Sequence, residues 1–205
     1  GLGDVYKRQT YKTGTGATDY EAKAGGTILL TDDDPTVTTG GGSLSFSTGD
    51  IVLSTAGTTT FTTGAGGGDI TIAGKIDGTA TEAEALAITS GTGNIAIQGA
   101  IGADAVLAGL SINATDGASG TIEITDIGDD NAEGVNTGTV SIGNNATVSL
   151  TLDGTVYKTD GATIYEAKSG DTILLTGASP TIQTKADNLT FDLGNLVLST
   201  DGTTT

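Results

Sequence analysis

Short apolar runs with a period of two recur along the chain. In residues 68–78 (GDITIAGKIDG), 93–103 (GNIAIQGAIGA) and 120–130 (GTIEITDIGDD) an Ile-x-Ile pair stands just after a glycine. Alternate residues of a strand share a face, so Ile70 with Ile72, Ile95 with Ile97, and Ile122 with Ile124 are expected to face inward. The next aliphatic, Ile76, Ile101 or Ile127, follows a turn and is expected to point inward again. A second set, Leu86-Ala87-Ile88, recurs further on as Leu110-Ser111-Ile112. Strand starts at Ile51, Ile70, Ile95, Ile122 and Val140 follow one another at intervals that match the length of one solenoid turn.

A coil of two or three such strands cannot bury its own apolar face, but a stacked neighbour covers it. Each Val, Leu or Ile so covered contributes roughly 1.5 to 3 kcal/mol. The pattern therefore predicts an all-β fold, a parallel β-helix (β-solenoid) without significant helix, right-handed because strand twist and crossover preference favour that hand. Roughly eight coils at about 4.8 Å each make a rod some 40 Å long. A thin coil is expected to place large rings only near its corners. Thr79-Ala80-Thr81-Glu82 reads locally as a helix capping box, yet Leu86-Ala87-Ile88 matches Leu110-Ser111-Ile112 as strand, which makes the segment a loop between coils. The competing arrangement, a string of β-sandwich domains, asks for a buried aromatic and for strands spaced more closely than these.

Sliding the chain against itself gives a longer period. Residues 16–60 align without a gap on residues 161–205, an offset of 145, with 27 of 45 positions identical. YEAKAGGTILLT at Tyr20 to Thr31 returns as YEAKSGDTILLT at Tyr165 to Thr176. The expected organisation is one complete module over residues 10–154 and the start of a truncated second copy over 155–205. The first nine residues, GLGDVYKRQ, resemble the translation of a transposon-end sequencing adapter, since GATGTGTATAAGAGACAG reads in frame as Asp4 to Gln9. Residues 1–9 are therefore set aside as an expected artefact.

Composition removes whole classes of chemistry. Gly (34) and Thr (40) make up over a third of the chain, and Cys, Met, Trp and His are absent. That leaves no disulfide, structural zinc site, or nucleophile paired with His, and any metal must be a hard ion on oxygen. A net charge of −17 argues against nucleic acid as a partner. No apolar run approaches the length of a membrane span, so no membrane insertion is expected.

Asp32, Asp33 and Asp34 form the most obvious candidate metal site, suited to Ca²⁺, although the second copy has Gly177, Ala178 and Ser179 there. Asp126, Asp129 and Asp130 invite the same reading more weakly. No other cofactor is expected. Tyr20, Glu21 and Lys23 recur as Tyr165, Glu166 and Lys168, which marks them as structural repeat residues. Their rings are expected to cover a junction between coils, and Glu with Lys to make an exposed pair worth under about 1 kcal/mol. The Thr-rich stretch from Thr58 to Thr63 raises an ice-binding face, but the Ile-x-Ile strands carry Thr71, Ala96 and Glu123 at the outward position, which breaks the ladder. A carbohydrate-active β-helix enzyme, a lyase or hydrolase, is the alternative from another class, and paired carboxylates could serve it. Scattered Lys and scarce aromatics count against it, and the chain is expected not to be an enzyme. Sequons at Asn113, Asn145 and Asn188 are expected to be accidental in so Thr-rich a chain.

The GDITIAGKIDG, GNIAIQGAIGA and LAGLSINA strings resemble the repeats of filamentous haemagglutinin-type adhesins and related giant bacterial surface proteins. The resemblance covers most of residues 51–152 and rests on pattern and composition. It implies secretion to the surface of a Gram-negative bacterium and a part in attachment or biofilm. The implied partners are neighbouring repeats of the same chain and, through regions outside this stretch, a host or surface receptor.

Overall fold

The computed structural model describes residues 10–54, 56–79, 83–115, 117–136, 138–185, 187–199 and 202–205. The adapter-like segment 1–9 and residues 80–82 of the capping-box reading lie outside the described residues.

The chain winds into an all-β parallel solenoid of about seven turns. Strands β1 (Thr10–Lys12), β2 (Thr18–Glu21) and β3 (Thr27–Leu30) make the first turn. The second has β4 (Thr36–Thr38), β5 (Leu44–Thr48) and β6 (Asp50–Leu53), and the third β7 (Gly57–Thr62), β8 (Ile70–Ile72) and β9 (Ile76–Asp77). A single 3-10 turn, Gly64–Gly66, lies between β7 and β8. The fourth turn carries β10 (Glu84–Thr89) and β11 (Ile95–Ile97), the fifth β12 (Gly109–Ile112) and β13 (Thr121–Ile124). Their third sides shrink to single bridges at Ile101 and Ile127. The sixth turn has β14 (Val140–Ile142), β15 (Ser149–Leu152) and β16 (Val156–Thr159), the seventh β17 (Thr163–Glu166), β18 (Thr172–Leu175) and β19 (Thr181–Thr184). β20 (Leu189–Asp192) and β21 (Asn195–Leu198) open an eighth.

Three sides result. The first side is the sheet β1-β4-β7-β10-β12-β14-β17-β20 and the second is β2-β5-β8-β11-β13-β15-β18-β21. The third runs from β3-β6-β9 through the bridges at Ile101 and Ile127 to β16-β19. Every strand pair is parallel, so each turn covers the apolar edge of the last, as the alternating pattern requires.

The interior is a stack of in-register aliphatics. On the second side Leu44, Ile70, Ile95, Ile122, Leu150 and Ile173 follow one another turn by turn, all buried. On the third side Ile51, Ile76, Ile101 and Ile127 do the same. The Ile-x-Ile reading thus holds for β8, β11 and β13, and Leu86 and Ile88 pair with Leu110 and Ile112 across β10 and β12. Two expected strand starts fall out of phase: Ile51 lies on the third side and Val140 on the first. The two shortest intervals, from Ile51 to Ile70 and from Ile122 to Val140, therefore compare different sides. The true register neighbour of Ile51 is Ile28 before it and Ile76 after it, and that of Val140 is Leu110.

The large rings also depart from expectation. Phe46, Phe61, Tyr157 and Tyr165 are fully buried at strand positions, not at corners. Phe46 and Phe61, on successive turns, meet in a tilted contact with 4.8 Å between ring centroids and 37° between planes, so rings of neighbouring turns pack against one another inside the coil.

Glycine is abundant because coils touch backbone to backbone at the corners. Between the first and second sides, a Cβ on Gly68 would collide with the carbonyl of Gly42, one on Gly93 with that of Gly68, and one on Gly120 with that of Gly93. At the next corner Gly74 sits the same way on Gly49, and Gly99 on Gly74.

Candidate functional site

The acidic and hydroxyl residues act first on the coil itself. At the corner entering the second side, Ser43 Oγ accepts the Asp69 N–H at 3.2 Å, Asp69 Oδ1 accepts the Asn94 N–H at 2.8 Å, and Asn94 Oδ1 accepts the Thr121 N–H at 3.0 Å. Each turn's side chain thereby holds the backbone of the next. Asp50 does this for Lys75 (2.9 Å), and Asp126 for Thr155 (2.7 Å) and Val156 (2.8 Å). Buried hydroxyls close the same corners from inside: Thr63 Oγ1 donates to the Gly68 carbonyl at 2.7 Å and Ser90 Oγ to the Gly93 carbonyl at 2.6 Å. Further along, the Asn144 amide donates to the carbonyls of Asn113 and Ala118. Asn113 is itself buried and accepts the Ser90 N–H, which keeps that sequon inside the fold.

Asp77 is buried, and its Oδ1 accepts the N–H groups of Asp104 (2.9 Å) and Ala105 (3.3 Å). Burial pushes its carboxyl above the ordinary Asp range, against the pull of the two amides. Glu84 is also buried, and there the balance reverses. Desolvation pushes it up, but the Thr79 hydroxyl and nearby backbone amides outweigh this and hold it below the usual Glu value.

The Asp32–Asp34 turn is not a convergent site. Asp34, in the left-handed region at φ 49°, commits Oδ1 to the Thr58 N–H at 2.8 Å, while Asp32 faces the Tyr11 hydroxyl at 3.4 Å. Asp129 bonds the N–H groups of Asn131 and Ala132 in its own loop. Among the described residues no group of three or more acidic side chains is placed to hold a metal ion.

The two Tyr-Glu-Ala-Lys segments contribute their rings to the interior. Tyr20 stacks on Phe46 at 5.3 Å, and Tyr165 on Phe191 at 5.4 Å, each pair inclined by 19°. Tyr165 is wholly buried and its hydroxyl has no partner; burial pushes its pKa well up. Glu21 accepts the Ser47 hydroxyl at 3.1 Å, and Lys23 is exposed. Glu166 lies in register with Asp192, and Lys168 reaches Asp171 at 3.9 Å.

One surface was missed by sequence reasoning. The outward positions of the first side are Thr36 and Thr38, then Thr58, Thr60 and Thr62, then Ala85, Ala87 and Thr89, then Gly109 and Ser111, then Ser141. On a chain of net charge −17 these outward strand positions are uncharged from the second turn to the sixth. Its Thr array continues for two turns before Ala, Gly and Ser replace it. A depression of about 290 Å³ lined by Asp34, Thr36, Thr58 and Thr60 lies on it and holds one carboxylate, already engaged with the backbone. Sequence reasoning looked for the Thr ladder on the Ile-x-Ile strands, which form the second side.

Among the described residues no helix is long and apolar enough to cross a membrane. Compared with family models, curated proteins and solved structures, the chain gives no match.

Proposed function

We propose that this β-solenoid is a shaft segment of a large bacterial adhesin, secreted or held at the cell surface, which spaces a receptor-binding tip away from the cell. The observation that carries the reading is the division of labour among side chains: aliphatics fill the axis, and Asp, Asn, Ser and Thr tie each turn to the next. Such a chain devotes its chemistry to length and cohesion. Tandem copying fits the same role, because a spacer tolerates repetition whereas an enzyme needs one specific cleft. The Asp32–Asp34 turn acts as a solvated corner in this reading, with no cofactor, and contact with receptors falls to regions outside this stretch.

Antibodies raised against the purified chain test the proposal on intact cells of the encoding organism. Gold label standing off from the outer surface is expected. Label that appears only after lysis overturns the surface role. Release of reducing ends from acidic polysaccharides by the purified chain overturns the non-enzymatic one.

A further inference from the structure

The module repeat and the coil repeat do not share a phase. Tyr20 lies in β2, on the second side of the first turn, whereas its copy Tyr165 lies in β17, on the first side of the seventh. The displacement is seventeen sides, or five and two-thirds turns. Every matched strand agrees: β3 on the third side returns as β18 on the second, β4 on the first as β19 on the third, and β5 on the second as β20 on the first. β6, on the third side, returns as β21 on the second.

Local structure survives the change of side. Asp50 N–H bonds the Gly26 carbonyl at 3.0 Å, and its copy Asn195 bonds Asp171 at 2.8 Å. Ser54 bonds Leu30 at 2.9 Å and Ser199 bonds Leu175 at 2.8 Å; Thr60 bonds Pro35 at 2.8 Å and Thr205 bonds Pro180 at 3.1 Å. Asp34 and Ser179, at equivalent corners, share a positive φ of 49° and 53°. The stacked pairs Tyr20–Phe46 and Tyr165–Phe191 match in separation and tilt. The same sequence therefore builds the same side and corner wherever around the coil it falls.

We infer that tandem copies of the module are turned by one third of a revolution relative to one another, so that an outward feature carried by every module faces all three directions within three copies. Each copy advances about 27 Å along the axis, and the pattern closes after seventeen turns, about 82 Å, at about 4.8 Å per turn. A surface that binds a partner on one side of the module is then presented around the rod, and approach from any direction finds it. Only this use of the rotation rests on the shaft reading. The rotation itself rests on the repeat and the register.

The chain has no cysteine, so thiol pairs report register without background. Ser141 and Ile164 are outward neighbours on β14 and β17. Had the second copy kept the side of the first, Ile164, the copy of Asp19, would lie beside Thr151, because Asp19, Ser45, Thr71, Ala96, Glu123 and Thr151 form one outward row. The test compares S141C/I164C with T151C/I164C, using a bifunctional thiol reagent that spans about 5 Å, the spacing of adjacent strands. The pair S45C/T71C, in register on β5 and β8, serves as the control. Cross-linking of 141 with 164 at least tenfold faster than 151 with 164 is expected. Equal rates, the reverse preference, or linkage of the control pair alone overturns the rotation. Surface labelling of cells is indifferent to this outcome, so failure of one proposal is distinguishable from failure of the other.

Discussion

Tyr157 and Tyr165 show how two identical buried rings can carry opposite energetic signs. Tyr157 donates its hydroxyl to the Ile124 carbonyl at 3.0 Å and accepts the Gly154 N–H at 2.7 Å. The Tyr165 hydroxyl is buried without a partner. Tyr157→Phe is expected to destabilise by about 1 to 3 kcal/mol because it strands the buried Gly154 N–H, while the Ile124 carbonyl keeps the Asp153 N–H at 3.1 Å, whereas Tyr165→Phe is expected to stabilise by on the order of 1 kcal/mol. Urea unfolding of the two variants against the parent checks both. Asp77 gives a pH-dependent counterpart. Its folded pKa is raised, so the unfolded chain ionises first as pH rises, and stability falls from the ordinary Asp range up through the folded pKa. Asp77→Asn keeps an oxygen for the Asp104 and Ala105 amides and removes the charge. It is expected to be at least as stable as the parent at neutral pH and to lose that advantage in acid. Asp77→Ala, which orphans both amides, is expected to cost about 1 to 3 kcal/mol. Thermal melts across pH 3 to 8, roughly the span over which carboxylates titrate, separate the three. The inward aliphatics were legible in the sequence because period two is a local property. The aspartate and asparagine partners were not, because each accepts an amide a full turn away: nothing near Asp69 announces Asn94, and nothing near Asn94 announces Thr121.

At the level of strands and corners, the limiting contact is between glycines of successive turns. Gly93→Ala places a methyl against the Gly68 carbonyl, and a backbone neighbour cannot swing aside. A loss of about 1 to 3 kcal/mol is expected. Gly16 heads the same corner, yet a Cβ there meets nothing within 4 Å, so Gly16→Ala is expected to change stability by no more than about 0.5 kcal/mol. Denaturation midpoints of this pair isolate the contact from the backbone entropy that both share. The sequence identified the elements better than their order around the coil. Ile51 and Val140 carry the same inward pattern as Ile70, but a strand does not state which side it occupies. The near-equivalence of the corners that lets the module change sides is what hid the phase from sequence reasoning. The flat first side escaped for a related reason: its Thr, Ala, Gly and Ser residues become one surface only once turns of unequal length are brought into register.

For the molecule as a whole, the last turn differs from those it follows. Leu189, Leu196, Val197 and Leu198 on the last two strands, and Leu193 in the bend between them, are exposed, whereas Leu44, Ile51 and Leu53, the first-copy equivalents of Leu189, Leu196 and Leu198, are fully buried beneath the next turn. Such an edge offers both apolar surface and unpaired backbone. The isolated chain is expected to associate end to end, and Leu196→Lys with Leu198→Lys to shift it toward monomer. Light scattering at matched concentrations reads the difference, and an unmodified chain that stays monomeric contradicts it.

The parallel register also sets how the rod gives way under load. Its inter-turn hydrogen bonds point along the axis, so tension applied at the two ends falls on one turn's bonds before the next. A tethered solenoid then yields by unpeeling, releasing roughly 90 Å of slack per turn at about 3.5 Å per residue, where about 4.8 Å of rod stood before. Single-molecule extension should show small repeated steps of that size rather than one rupture. In the adhesin role proposed above, this gives a moored cell a reserve of length that unreels before the anchor breaks.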